Sequence, residues 1–138
     1  MSDHQAPQAI SVIKSAFDWF NRTSAEGGAI LESDVRRHWT DDAVMIANNR
    51  IKCSGIAAHI KHFNDLLEQM KFTEIQPFDI VVDGPDRAAA YYRINFKSAS
   101  GEEGTIYDLA IWDVRDGKIA RMTEIIHVEG AQVALQDF

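Results

Sequence analysis

Three long runs of alternating side chains, 87–98, 104–114 and 118–128, dominate the C-terminal part of the chain, and a fourth, 72–83, precedes them. The separators "DGPD", "SASGEEG" and "RDGK" all carry glycine, which tolerates the positive φ of tight turns. Each run is about twice the usual strand length of five to six residues. The pattern predicts a meander of four long strands.

Ahead of them the period changes. Ile10, Ile13, Phe17 and Phe20 recur at helical spacing and predict an amphipathic helix to about Thr23, where "SAEGG" breaks it. A shorter helix is expected over about 30–38, with Leu31, Val35 and Trp39 near one side. "DDAVMIANNRIKCSG" reads as strand, turn, strand, with Asn48-Asn49 at the turn because Asn tolerates the left-handed conformation. Ser54 is placed to cap a third helix whose buried stripe is Ile56, Ile60, Phe63, Leu67 and Met70. Residues 1–8 are expected as a frayed tail, with Pro7 at the helix entry, and 130–135 as a closing helical turn. Helices and strands segregate, which predicts an α+β fold. A strongly curved, cone-shaped mixed or antiparallel sheet, wrapped by three helices on its concave side, suits these lengths and leaves an apolar pocket.

A chain of 138 residues, 46% hydrophobic and 25% charged, suits one domain over 1–138. A net charge of −7 with scattered basic residues argues against a nucleic-acid partner. "MSDHQAPQAI" lacks the basic and apolar regions of a signal peptide, and no apolar run approaches the ~20 residues of a membrane span. Cys53 is the only cysteine, which excludes a disulfide framework and fits a reducing compartment; a cytoplasmic protein is expected. Cys53 itself reads as packing.

One polar residue interrupts the apolar pattern. In the run 118–128, Ala120, Met122, Glu124, Ile126 and Val128 share a face, and Glu124 is the polar one. If that face is concave, Met122 and Ile126 line the pocket, opposite Ile106, Asp108 and Ala110 across the "RDGK" hairpin. On the preceding run Tyr91, Arg93 and Asn95 share one face, and Tyr92, Ile94 and Phe96 the other. Taking the first set inward assembles Glu124, Asp108, Arg93, Asn95 and Tyr91. Two carboxylates beside one guanidinium can split into an acid and a base, and an Arg fork can hold a ligand carboxylate or enolate. The same cluster also reads as a satisfied buried ion pair. His59 and His62 read as a solvated pair rather than metal ligands, and no metal is expected. His38 is expected at a helix end facing dipole or solvent, and His127 on the outer face. Asp41-Asp42 is expected to cap a turn between helix and strand. Phe17, Trp19, Phe20, Trp39 and Phe63 read as helix core, one or two of them rimming the cavity. Tyr92, Ile94, Phe96, Leu109, Ile111, Ile119 and Ile125 would make the convex face apolar.

The order of elements, "HWTDDAVM" and "WDVRDGKIARM" resemble the nuclear-transport-factor-two-like superfamily, and within it the SnoaL-like polyketide cyclases, over about residues 8–130. The resemblance implies a single domain of that type. In ketosteroid isomerases of this superfamily the base lies at the position of Ala47, and a second carboxyl near Ala110, two residues from Asp108. Limonene-type epoxide hydrolases align their catalytic aspartate with Glu124 in "MTEIIH"; their arginine matches Arg93, and Asn95 replaces their aspartate. The cyclases also use an acidic residue on the last strand. The resemblance therefore implies Glu124, Asp108 and Arg93 as catalytic residues. Tyr91, Asn95, Met122, Ile126, Ile106, Ala47, Trp39 and Phe17 would contact the substrate. It implies cofactor-free acid/base isomerisation, cyclisation or hydrolysis of a hydrophobic oxygenated small molecule, or else a non-catalytic binding or structural dimer. Similar folds bury the convex face in a back-to-back homodimer, and the same is expected here.

Overall fold

The computed structural model describes residues 8–130. Its first helix, α1 (Ala9–Glu26), runs past Thr23 because Ser24 is still buried. It stops where Gly27 takes φ 64° and the N–H groups of Gly27 and Gly28 return to the carbonyls of Ser24 and Thr23. The short α2 (Glu32–His38) runs directly into β1 (Trp39–Ala47), so Asp41 and Asp42 lie within a strand and cap no turn. Their carboxylates instead meet Arg36 and Arg115 at the surface.

β1 turns into β2 (Arg50–Ser54) through Asn48 and Asn49, at φ 49° and 67°. Two consecutive positive φ values are those of a two-residue type I′ turn, as the Asn pair predicts. Ser54 is still paired with Val44, and Gly55, at φ 86°, precedes α3 (Ile56–Gln69). Ser54 is thus part of the ladder and does not cap the helix.

The single run expected over 72–83 is two strands, β3 (Met70–Ile75) and β4 (Ile80–Val82). Pro77 stands in the break, where a residue without an N–H cannot extend the ladder. Both pieces pair with β5 (Arg87–Ser98), β3 against its C-terminal half and β4 against Ala89, Ala90 and Tyr91. β6 (Glu103–Arg115) and β7 (Lys118–Gly130) complete the meander. The order is β2-β1-β7-β6-β5-β3, with β4 also on β5; β1 and β7 are parallel and every other pair is antiparallel.

Among the described residues the architecture is therefore three helices on a curved sheet of seven strands, an α+β fold. Ile13, Ala16, Trp19 and Phe20 of α1 share one buried core with Tyr92, Trp112 and the small residues Ala88, Ala90 and Ala110, and Phe17 meets Tyr92 and Trp112 directly. Small residues at these positions leave room for the Trp112 indole, which is fully buried and ringed by Phe17, Phe78 and Tyr92. Strict alternation assigns Ile119 to the convex face, but it is buried in the core. The reason is a bulge: Asp113 pairs with Arg121 and Val114 with Ile119, so Ala120 is an extra residue that resets the phase. The expected tail and the entry at Pro7 lie outside the described residues, as does all but the first residue of the closing turn over 130–135.

Asn48 does more than form a turn. Its N–H donates to the Glu124 carbonyl and its Oδ1 accepts the Ile126 N–H, both at 2.9 Å, which ties the β1–β2 hairpin to β7. Asn48→Ala loses the side-chain bond and must hold an unfavourable left-handed backbone, so stability should fall by about 2–3 kcal/mol. Asn48→Gly keeps the backbone freedom and should lose less. Urea unfolding of the three proteins checks the order; an Ala variant as stable as the parent would show that this tie contributes nothing.

Candidate active site

The pairing of β5, β6 and β7 brings two acids and a phenol together. Tyr92 stands opposite Asp108, Asp108 opposite Ile126, and Ala110 opposite Glu124, so the three polar groups are neighbours across adjacent strands on the concave face. Asp108 is 1% exposed and Glu124 8%. The Tyr92 hydroxyl donates to Asp108 Oδ2 at 2.9 Å. Asp108 and Glu124 lie within hydrogen-bonding reach of each other, yet Asp108 Oδ1 has no N–H or O–H donor from any other group. Two ionised carboxylates only accept, so a hydrogen bond between them requires that one carry a proton.

The environment says which acid holds it. Burial pushes the Glu124 carboxyl well above the usual carboxylate range, and the neighbouring Asp108 charge pushes it further. Burial also raises Asp108, but hydrogen bonds from Glu124 and Tyr92 favour its ionised form and oppose that rise. Glu124 is accordingly the weaker acid of the pair and the last to give up its proton. Tyr92 remains a donor, since burial and the adjacent Asp108 raise its own pKa well above the phenol value.

These groups open onto a cavity of about 100 Å³ between the sheet and the helices. Of the residues singled out from the sequence, Phe17, Trp39, Ile106, Met122 and Ile126 line it together with Asp108 and Glu124. Ala47 is buried and paired in register with Glu124, but it does not border the cavity. Tyr91, Arg93 and Asn95 face the other way. Arg93 is exposed and pairs with Asp79 at 3.4 Å, and Asn95 accepts a bond from Thr105 Oγ1 at 3.3 Å. Alternation gives β5 its correct phase, but the two faces are exchanged: the more apolar set, Tyr92, Ile94 and Phe96, faces inward, and the convex face loses those three residues. Among the described residues no arginine lines the cavity, so replacing Glu124 breaks no arginine pair there.

Several lining residues are not assigned to the pocket by the sequence pattern, chiefly Tyr92, His62, Thr73, Met45 and Met70. His62 follows the face of α3 that carries Phe63 and Leu66, so the signal is the same helical stripe. The expectation of a solvated histidine pair fails for His59, which is buried, while His62 is half-buried. His59 is 1% exposed with Nδ1 at 2.7 Å from the Gly55 carbonyl, and burial lowers its pKa. His62 is pulled down to about 4, first by burial and then by His59 and Lys52. His38, expected toward solvent, is buried between Trp19 and Trp39, whose rings lie 5.6 and 6.0 Å away. His127 lies on the outer face, stacked on Tyr107. Cys53 is buried and its thiol is pushed up to about 12 by burial, so it packs and does not attack. Among the described residues no cluster of three or more His, Cys, Asp or Glu side chains could hold a metal ion.

Residues 18–122 match the SnoaL-like domain family. A comparison with curated proteins gives no match. Among solved structures, an NTF2-like protein from Anabaena variabilis ATCC 29413 shares 17% identity at a TM-score of 0.73, covering 94% of this chain and 96% of that one. A SnoaL-like polyketide cyclase from Agrobacterium tumefaciens str. C58 shares 13% at 0.67, over 86% of this chain and 90% of that one. An M. tuberculosis LEH-like epoxide hydrolase shares 10% at 0.68, over 86% and 82%. At such identities the common feature is the fold.

The carboxyl pair has a thermodynamic signature. Glu124 keeps its proton in the folded state at a pH where the unfolded chain has released it, because its folded pKa is raised. That stabilising contribution is complete below the unfolded carboxyl value of ~4.3 and is lost as pH rises through the folded value. Buried His38 and His59 and half-buried His62, with lowered pKa values, act oppositely and remove stability as pH falls below ~6.5. The difference between parent and Glu124→Gln cancels the histidines. The variant should gain stability relative to the parent as pH rises above the unfolded carboxyl value of ~4.3, with a slope of at most ~1.4 kcal/mol per pH unit. Urea midpoints at three pH values measure it; a difference that stays flat would mean Glu124 titrates normally.

Proposed function

The chain belongs to the SnoaL-like domain family, and from that premise we propose that it binds a hydrophobic, oxygenated small molecule in its cone and transforms it by acid/base chemistry. The observation that carries this reading is the placement of Asp108, bonded by the Tyr92 hydroxyl, and Glu124 side by side at the wall of an apolar cavity. In that pair Glu124 is the general acid, poised to protonate a carbonyl, ether or epoxide oxygen. Asp108, held by the Tyr92 hydroxyl, is the base or the stabiliser of developing positive charge. The reaction class is isomerisation, cyclisation or hydrolysis, and no step in this reading calls on a cofactor. Cys53, a free and buried thiol, suits a reducing compartment, which supports a cytoplasmic setting. Among the described residues no helix is long and apolar enough to cross a membrane.

A second reading, a non-catalytic binder with the same cavity, draws on the mutual pairing of the two acids, which satisfies them without a substrate. Glu124→Gln separates the two. The amide keeps the shape and can still donate to Asp108, so the variant should fold. As an enzyme, the parent should speed deuterium uptake at the α-carbon of enolisable ketones, the step common to isomerisation and aldol cyclisation. The variant should lose that rate by about 10²–10⁴-fold, the usual worth of a positioned acid. Equal rates in the two proteins would favour the binder.

We also propose a homodimer through the convex face. Ile80, Tyr91, Leu109 and Ile125 lie opposite one another across β4, β5, β6 and β7, and Val82, Ala89, Ile111 and Thr123 form the next row. Leu109, Ile111 and Ile125 are each about half exposed, at 55%, 47% and 53%. Ionic residues bound the rows, Arg87 with Asp113 at one end and Arg93 with His127 at the other. An apolar centre with a charged rim is the anatomy of an interface, and a standard one hides ~800 Å² per partner. Sedimentation equilibrium at micromolar concentration should report a dimer, and the double variant Leu109→Lys, Ile125→Lys a folded monomer. A parent that sediments as a monomer would overturn this proposal.

A further inference from the structure

The size and charge of the cavity restrict what it can take, an inference that rests on the small-molecule reading above. Its volume of about 100 Å³ falls below the ~300–1,000 Å³ of pockets for drug-sized ligands. It is closer to the ~150 Å³ engineered cavity that holds one benzene. Trp39 and Phe63 wall it with rings 5.0 Å apart, and Phe20 packs on Phe63 at 5.7 Å, so these walls brace one another.

The polar groups on its wall are mostly engaged. Tyr92 donates to Asp108, and Thr73 Oγ1 is turned to the Met70 sulfur at 3.7 Å. His62 is a neutral imidazole near neutral pH. That leaves the Glu124 proton, beside a buried Asp108 oxygen without another donor, as the group a ligand can compete for. Arg93, the side chain that could have received an anion, is on the opposite face of the sheet, and Lys52 acts on Glu124 from outside the lining. A carboxylate in this cavity would give up its hydration and meet two acids.

We infer that the cavity selects neutral molecules of about one ring that carry a hydrogen-bond-accepting oxygen, and excludes both anions and polycyclic ligands. The neutral oxygen accepts from Glu124 while the ring fills the aromatic wall.

Four probes test this on the parent protein with labelled methyl groups, read at Met122 and Ile126 at about pH 7.5, where benzoate is ionised. They are acetophenone, its acceptor-free counterpart ethylbenzene, benzoate and the tricyclic ketone anthrone. Acetophenone should shift both methyl signals and bind at least tenfold tighter than each of the other three. Ethylbenzene binding as well as acetophenone would overturn the role of the acceptor oxygen. Benzoate or anthrone doing so would overturn the selection by charge or size. Each of those results leaves the pocket itself standing. Silence from all four probes would overturn both this inference and the small-molecule reading beneath it.

Discussion

One proton between Asp108 and Glu124 is what permits two acids on the inner face of this sheet. Without it, two carboxylates would face each other in an apolar cone, and each would carry a desolvation cost of several kcal/mol. With it, one member is neutral, the other is held by Tyr92, and the pair packs as a polar island among Ile106, Met122 and Ile126. The meander supplies the placement. Because β5, β6 and β7 pair in continuous register from Tyr92 through Asp108 to the Glu124 side of β7, the three groups meet without a loop to position them. A site built on paired strands is held by the same hydrogen bonds that hold the fold. The Asn48 tie adds the neighbouring hairpin to that frame at the Glu124 backbone itself.

The acidic pair and the buried histidines pull the molecule in opposite directions on the pH scale. Glu124 favours folding where protons are plentiful, whereas His38, His59 and His62 must stay neutral to remain buried. These two sets of groups lie on opposite sides of the same interior: the acids on the sheet, the histidines on or next to the helices. Near neutral pH the histidines thus add no charge to the interior, and burial works against a second charge on the acid pair. That condition is also the one in which an acid retains a proton to give away.

Much of this is legible in the order of the residues, and the parts that are not share a physical cause. The long strands β5, β6 and β7, the Asn turn and the inward face of Glu124 with Asp108 follow from two-residue alternation and turn chemistry. Alternation states which residues share a face but not which face is covered, so "YYRINF" can be turned either way, and turning it the wrong way puts its Arg inside. Counting apolar atoms favours the set Tyr92, Ile94 and Phe96 for the interior and is the better guide. The bulge at Ala120 defeats alternation altogether, because one extra residue inverts everything before it. The histidines look solvated when polarity is weighed without the surrounding rings: each of His38, His59 and His62 sits against Trp19, Trp39 or Phe63.

The hairpin of β6 and β7 carries two tasks on its two faces. Asp108 and Glu124 point into the cone, while Leu109 and Ile125, the next residue along each strand, point out and stand opposite each other. A one-residue slip of either strand would carry an acid onto the apolar outer face and an isoleucine or leucine into the proton-sharing position. Register errors are therefore penalised twice, once by an unpaired carboxyl and once by a broken apolar row. The bulge at Ala120 sits below both features, near the "RDGK" turn, so the phase is set before the strand reaches Glu124. A sheet that places an acid pair on one face and an apolar row on the other needs such a fixed phase, because neither face can be repaired without damaging the other.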